Sequence, residues 1–285
     1  SPREDYCARY FSVDPWYQVG DCFGAWVDGE LASAVHICRR HVRWQDRTLL
    51  MGGIANVATL PHYRDRGLSR GLLRLAIARM EESGIDFSAL GTGIPGHYAP
   101  LGWEIVEYPV ATVTIPEEAW ADPHDSPNWS APEVSASIEK LYSAAARPLQ
   151  MLRSAAYFSG WTGWVWTKQQ VRQWAAADLG YIAMKQAESD ADPLNILEIR
   201  AVSADAEKEL LSGLIAWARE AGFKSISLNC MPQWNGSLPH EADNPAISHR
   251  RGKMLRNISL PADTYAEIAK TYSSGQACWW PGDGF

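Results

Sequence analysis

The sequence predicts an α/β (α+β) fold in two consecutive units, each a mixed, mainly antiparallel sheet flanked by helices. Three observations carry this expectation. The order strand, strand, helix, strand is legible over residues 31–90 and again in the second half of the chain. Residues 116–132 hold four prolines, several acids and few aliphatics, the composition of a linker. Hydrophobic residues make up 46% of 285, enough for a sizeable core in one large domain or two ordinary ones.

Taken in order, residues 22–27 read as a strand, Asp28-Gly29 as a hairpin turn, and residues 31–42 as a second strand. A polar turn at 44–48 leads to an apolar third strand at 49–59, and Pro61 stops pairing because it has no amide to donate. Residues 66–82 switch to helical periodicity. Leu68, Leu72, Ala76 and Met80 share one face with Leu73, Leu75 and Ile77, while Arg66, Arg70 and Arg74 lie on another. Ser83-Gly84 ends this helix. A short buried strand follows at 87–90, and residues 106–115 read as the last strand of the first unit. In the second half, residues 134–152 look helical and 161–174 are rich in tryptophan. Strands are expected at 180–187, 196–202, 224–230 and 253–260, with an amphipathic helix at 204–221. The domain reading is therefore 1–116 and 133–260, joined by the linker 117–132 and followed by a tail, 261–285.

Composition excludes several classes. A net charge of -7 lacks the basic footprint that phosphate contacts need, so no nucleic acid is expected. No apolar run approaches the ~20 residues of a membrane span, and no signal peptide opens the chain. The expected location is cytoplasmic, with no membrane partner. Five scattered cysteines without a C-x-x-C pair support neither a metal site nor a disulfide framework.

Chemistry concentrates in residues 57–70. A strand ends, a tight turn follows, and a helix begins at the turn. A helix N-terminus carries partial positive charge and unpaired N–H groups, which suits a pyrophosphate. Gly67 lets backbone approach phosphate oxygens without a Cβ, and Arg64 and Arg66 add positive charge. No Gly-Lys-Ser/Thr is present, so the turn is not a P-loop, and one glycine does not make a dinucleotide fingerprint.

Arg64-x-x-Gly67-x-Ser69 resembles the acetyl-CoA signature of the GNAT superfamily of acetyltransferases, R/Q-x-x-G-x-G/A, with Ser69 departing from the small last residue. Thr59-x-Pro61-x-x-Arg64-x-x-Gly67-Leu68 is similar to its longer form, and Tyr98-x-x-x-Gly102-Trp103 resembles the later family motif Y-x-x-x-G-Y/W. The resemblance sharpens to the enhanced-intracellular-survival (Eis) type, which places two GNAT-like units in tandem, the second degenerate. It implies an acyltransferase, an N-acetyltransferase using acetyl-CoA as co-substrate and no metal. Val57, Ala58, Thr59, Arg64, Asp65, Arg66, Gly67, Leu68 and Ser69 would hold the cofactor. Backbone N–H groups near Val57 and Thr59 would take the pantetheine arm as an added strand and polarise the thioester. Tyr98 would be the general acid. The general base would be the C-terminal carboxylate of Phe285, on an apolar tail ending Cys-Trp-Trp-Pro-Gly-Asp-Gly-Phe. His97 and Asp283 are candidates for the acceptor side. The resemblance also leads one to expect no sterol-carrier-like domain, since 25 residues follow Leu260, and a shortened N-terminal portion. The partner is expected to be a small-molecule primary amine or a lysine side chain. The sequence names neither the acceptor nor the oligomeric state. The competing readings are a non-catalytic acyl-CoA-binding regulatory module and an interaction protein using exposed tryptophans.

Overall fold

Three antiparallel strands open the first unit: β1 (Cys22–Val27), β2 (Glu30–Trp44) and β3 (Arg47–Thr59). Asp28 and Gly29, with φ of 50° and 82°, make the two-residue turn between β1 and β2, as Asp-Gly in such a turn requires. In the computed structural model, the described residues are 8, 11–117, 136–144, 146–176, 178–185, 192–229, 231–234, 238 and 245–277. They fall into two compact units, one formed by described residues up to 107 with 251–272, the other by those within 108–250 with 273–277.

In the first unit, helix α1 (Leu68–Glu82) crosses from β3 to β4 (Phe87–Gly91), and the crossover makes these two strands parallel. Leu72, Leu73, Ala76 and Met80 of α1 are buried against Val35, Ile37 and Ile54 of the sheet. Leu75 is exposed instead, since its side chain falls off that stripe. Gly52 on β3 makes the close approach feasible: a Cβ there would sit 2.5 Å from the Met80 sulfur. The fifth strand, β10 (Ala246–Asn257), pairs antiparallel with β4 from Lys253–Gly91 to Asn257–Phe87, so the order within this unit is β1-β2-β3-β4-β10. Helix α5 (Ala262–Ser273) buries Ile268 and Tyr272. Asp21 accepts a two-pronged bond from Arg39 at 2.6 and 2.8 Å, and Asp14 accepts from Arg40 at 2.7 Å, which anchors residues 14–21 to β2.

The second unit repeats this connectivity. Strands β6 (Val171–Ala176), β7 (Gly180–Lys185) and β8 (Leu194–Ala201) are antiparallel. Helix α4 (Ala204–Glu220) crosses to β9 (Ser225–Leu228), which runs parallel to β8. β5 (Glu104–Thr114) pairs antiparallel with β9 through residues 111–114. Helix α2 (Ala136–Ala144) precedes a helical run with a π-helical segment at Phe158–Thr162, continued by α3 (Gly163–Lys168). Trp161 and Trp166 in that run are fully buried, so these tryptophans are core. Arg153 meets Glu198 at 2.5 and 3.1 Å with Tyr181 donating to the same carboxylate at 2.8 Å, a buried ion pair whose oxygens are satisfied.

Two strands have partners other than those expected from the sequence. Residues 106–115 were assigned to the first unit, but β5 pairs with β9; residues 253–260 were assigned to the second, but β10 pairs with β4. The boundaries 1–116 and 133–260 therefore do not coincide with the compact units. The reason is physical: which sheet edge accepts a strand depends on which edge is open, a non-local property. The expected tail, 261–285, begins with a helix; its buried stripe uses Tyr272 beside Ile268, so the sequence there reads as polar. Linker residues 118–132 and tail residues 278–285 lie outside the described residues. Among the described residues no helix is long and apolar enough to cross a membrane.

His36 on β2 is buried, and burial pulls its pKa from 6.5 down to about 4, against a smaller upward pull from Asp14 and Asp21. Between those values the unfolded chain binds the proton and the folded chain does not. Stability from this residue is therefore complete above pH 6.5 and falls as pH drops toward about 4. Urea unfolding across that interval is expected to show the decline in the wild type and a flatter profile in His36→Gln.

Candidate active site

The last six residues of β3 part from β4. Parallel pairing covers only Met51–Phe87, Gly52–Ser88 and Gly53–Ala89. On the other side, β3 keeps its register with β2 up to Ser33–Thr59, but with an irregularity: pairs step from His36–Ala55 to Ala34–Ala58, leaving Asn56 and Val57 opposite Val35. Asn56 has φ of 52°, the left-handed conformation that a bulge needs and that asparagine tolerates. The bulge increases local twist and turns the strand end away from β4.

A groove of about 890 Å³ follows the parted strand end. Val57, Ala58, Thr59, Arg64, Asp65, Gly67, Leu68 and Ser69 line it, together with His97 and Tyr98. Arg66 is not part of this lining: its guanidinium stacks over the Tyr63 ring, 5.0 Å from the centroid. The groove wall also includes Ala32, Ser33 and Ala34 of β2, residues that local sequence did not single out. The register gave only part of the signal: a β2–β3 hairpin closing at residues 45–46 places Ser33 opposite Ala58, and the bulge moves its partner to Thr59. Ser33 donates to the Ala58 carbonyl at 2.8 Å and lies 2.9 Å from Thr59 Oγ1, which stiffens the strand end.

At one end of the groove α1 begins. Its N-cap is Gly67, with φ of 77°, no capping side chain and no acid in the first turn. A Cβ at Gly67 would meet nothing within 4 Å, so the space before the helix is open. Free N–H groups, an uncompensated dipole and an open approach make an anion cradle. The matching helix of the second unit is closed to this chemistry. Ser203 caps α4, accepting from Ala206 N at 3.1 Å, and Asp205 and Glu207 occupy its first turn. Glu207 further accepts from Gln233 N and Trp234 N at 2.8 and 3.0 Å. Two carboxylates and a filled cap exclude a phosphate there.

Farther along the groove, Tyr98 is carried between two 3-10 turns, Pro95–His97 and Ala99–Leu101. Its ring is buried, edge-on to Trp103 at 6.3 Å and to His97 at 5.0 Å. Burial raises the phenol pKa above 10, while a hydrogen bond with Thr92 pulls the other way. The hydroxyl thus stays protonated at neutral pH and can donate. Thr92 was not among the residues read from the sequence. His97 is held neutral by burial and by Arg70, and its Nε2 lies 3.2 Å from Ser69 Oγ. Asp283 and Phe285 lie outside the described residues. Among the described residues no cluster of His, Cys, Asp or Glu could hold a metal ion.

Comparison with known proteins gives a match to a family model and a likeness of fold. Residues 2–106 match the family model described as an acetyltransferase (GNAT) domain. The whole fold resembles solved GNAT structures. A GCN5-related N-acetyltransferase from Kribbella flavida superposes with a TM-score of 0.68 at 20% identity, covering 90% of this chain and 64% of that one. The chain thus spans just under two thirds of that protein's length. Eis1 from Mycobacterium abscessus gives a TM-score of 0.66 at 16% identity, covering 90% and 71%. A GCN5-related N-acetyltransferase from Anabaena variabilis gives 0.64 at 18%, covering 90% and 66%. At these identities the likeness is one of fold. No curated protein matches the sequence.

The open helix N-terminus predicts a ligand effect. Coenzyme A should raise the melting temperature of the chain in proportion to the logarithm of its concentration. Gly67→Asp should abolish that shift, because a carboxylate would face the phosphates; a full shift in the variant would refute the placement.

Proposed function

We propose that this chain is an N-acetyltransferase that moves the acetyl group of acetyl-CoA directly onto a primary amine of a small molecule or a lysine side chain. One observation carries this reading: a single groove is lined by an open helix N-terminus, a parted strand end and a buried protonated tyrosine. Phosphates fit the turn at 64–69, and the space ahead of Gly67 supplies the fit. The parted end of β3, near Val57 and Thr59, offers backbone to an extended arm, as a sheet edge takes an added strand. Acetyl-CoA, when bound, supplies the activated acyl carbon and a thiol leaving group.

The chain's own residues then manage protons. An amine attacks only when neutral, so a base must take its proton; a departing thiolate is stabilised by receiving one. Tyr98 Oη is the donor, since burial keeps it protonated. The terminal carboxylate of Phe285 is the acceptor we propose, with Asp283 on the amine's side; His97, the other acceptor-side candidate, stands against Ser69 of the phosphate turn instead. In this reading the first unit is catalytic. The second is a degenerate GNAT-like unit, which the occupied N-terminus of α4 supports. The acidic net charge of -7 accords with a cationic amine as partner.

Two measurements test the proton assignments. Thiol release from acetyl-CoA, scanned over aminoglycoside, polyamine and lysine-peptide acceptors, provides the assay. Tyr98→Phe deletes only the hydroxyl and should lower turnover on the order of 10²-fold with cofactor affinity retained; undiminished turnover would move the acid elsewhere. Extending the chain beyond Phe285, or deleting Phe285, should cut turnover strongly while the coenzyme A melting shift persists. A C-terminally extended protein working at full rate would exclude the terminal carboxylate.

A further inference from the structure

Tyr98 is on a soft support. The segment from Thr92 to Leu101 has two short 3-10 turns and two glycines, and Cβ atoms built at Gly93 and Gly96 would meet nothing within 4 Å. Ile94, between them, is 66% exposed. A loop of this kind does not by itself hold a proton donor to the few tenths of an ångström that acid catalysis needs. Besides the packing of the Tyr98 ring against buried Trp103, two side-chain anchors tie the loop down. On one side Thr92, which lowers the Tyr98 pKa against the effect of burial, accepts from Ile94 N at 3.0 Å and is itself pinned through its own N–H to the Gly252 carbonyl at 2.8 Å. On the other side His97 Nε2 meets Ser69 Oγ at 3.2 Å, while the His97 ring stands edge-on to Tyr98.

Ser69 belongs to the first turn of α1, and this turn is rigid. Gly71 N donates to Gly67 O at 3.0 Å, and Leu72 and Leu73 beside it are buried in the core. Ser69 also occupies the last position of the phosphate turn, where a glycine or alanine would satisfy the resembling signature. Neither of those residues could reach His97 with a hydrogen bond. The hydroxyl at 69 therefore does something beyond leaving room for a phosphate.

We propose that the Ser69–His97 hydrogen bond is a clasp that couples the phosphate end of the groove to the placement of Tyr98. Ser69 and His97 are positioning residues, and this role rests on the reading of Tyr98 as the proton donor. A phosphate bonded by the first-turn N–H groups orders Ser69. Ser69 then orders His97, and His97 holds the edge of the Tyr98 ring. An enzyme so built brings its acid to register only when a whole cofactor is seated.

The test uses the full chain and needs no knowledge of the acceptor for its first arm. Hydrogen exchange over residues 92–101 should slow on saturation with coenzyme A in the wild type. Ser69→Ala should bind coenzyme A within about twofold of the wild type but lose that slowing. Ser69→Thr, which restores a hydroxyl, should regain it. In the second arm, with the acceptor that gives the fastest thiol release, Ser69→Ala should lower kcat about tenfold, the scale of one hydrogen bond, with little change in KM for acetyl-CoA. His97→Phe should do the same. The double variant should be no slower than either single one, and Ser69→Ala should cost nothing further in a Tyr98→Phe background. Equal protection of 92–101 in Ser69→Ala, additive losses, or a loss confined to KM would each overturn the clasp. A slow Tyr98→Phe beside a full-rate Ser69→Ala sinks the clasp alone, whereas a full-rate Tyr98→Phe removes the acid reading and the clasp with it.

Discussion

The parting of β3 from β4 after three residue pairs is the constraint on which the rest of the first unit depends. A parallel pair that continued to Thr59 would satisfy its own backbone and leave no groove. The bulge at Asn56 prevents this by putting two residues opposite one on β2, so the strand end follows β2 instead. The cost is backbone left without a ladder partner on the β4 side. A buried N–H or C=O without a partner is unfavourable, so this end either faces solvent or receives an extended ligand. Helix α1 completes the arrangement, because the crossover that makes the strands parallel also places its N-terminus beside the gap.

The two crossover helices show how little chemistry separates a binding turn from a structural one. Both follow an antiparallel strand pair and both lead to a parallel strand. At α1 the cap is a left-handed glycine, and the first turn carries no acid. At α4 the cap is a serine that consumes an N–H, and two acids meet the dipole. The second pattern is the more stabilising for a helix, worth about 1 kcal/mol for the cap alone. The first gives up that stability, and in exchange leaves the N-terminus available to an anion. Tyr98 likewise sits on a loop and not in a ladder, so its rigidity has to come from Thr92, His97 and Trp103 around it.

The signal in the sequence was strongest where chemistry is local. The α1 stripe was legible apart from Leu75, and so were the Asp28-Gly29 turn and Gly67 ahead of the helix, because each depends on neighbours within a turn or two. Arg66 shows the limit, since spacing put it near the phosphate turn while its guanidinium lies over the Tyr63 ring and outside the groove lining. Helix α5 escaped for a related reason, with tyrosine supplying part of its buried stripe.

Residue type and spacing alone thus determined the strand–turn–helix unit at 57–82 and its glycine, since hydrophobic period, proline and glycine act over short distances; Tyr98 was singled out by the family resemblance. The tertiary structure decided what no local pattern contains: that β5 and β10 pair with β9 and β4, that Ser33 lies beside Thr59, and that Ser69 reaches His97 across 28 residues of chain. Strand partnership and side-chain contact across a groove depend on which edges and surfaces remain open once the cores have packed, and that is settled only by the folded chain as a whole.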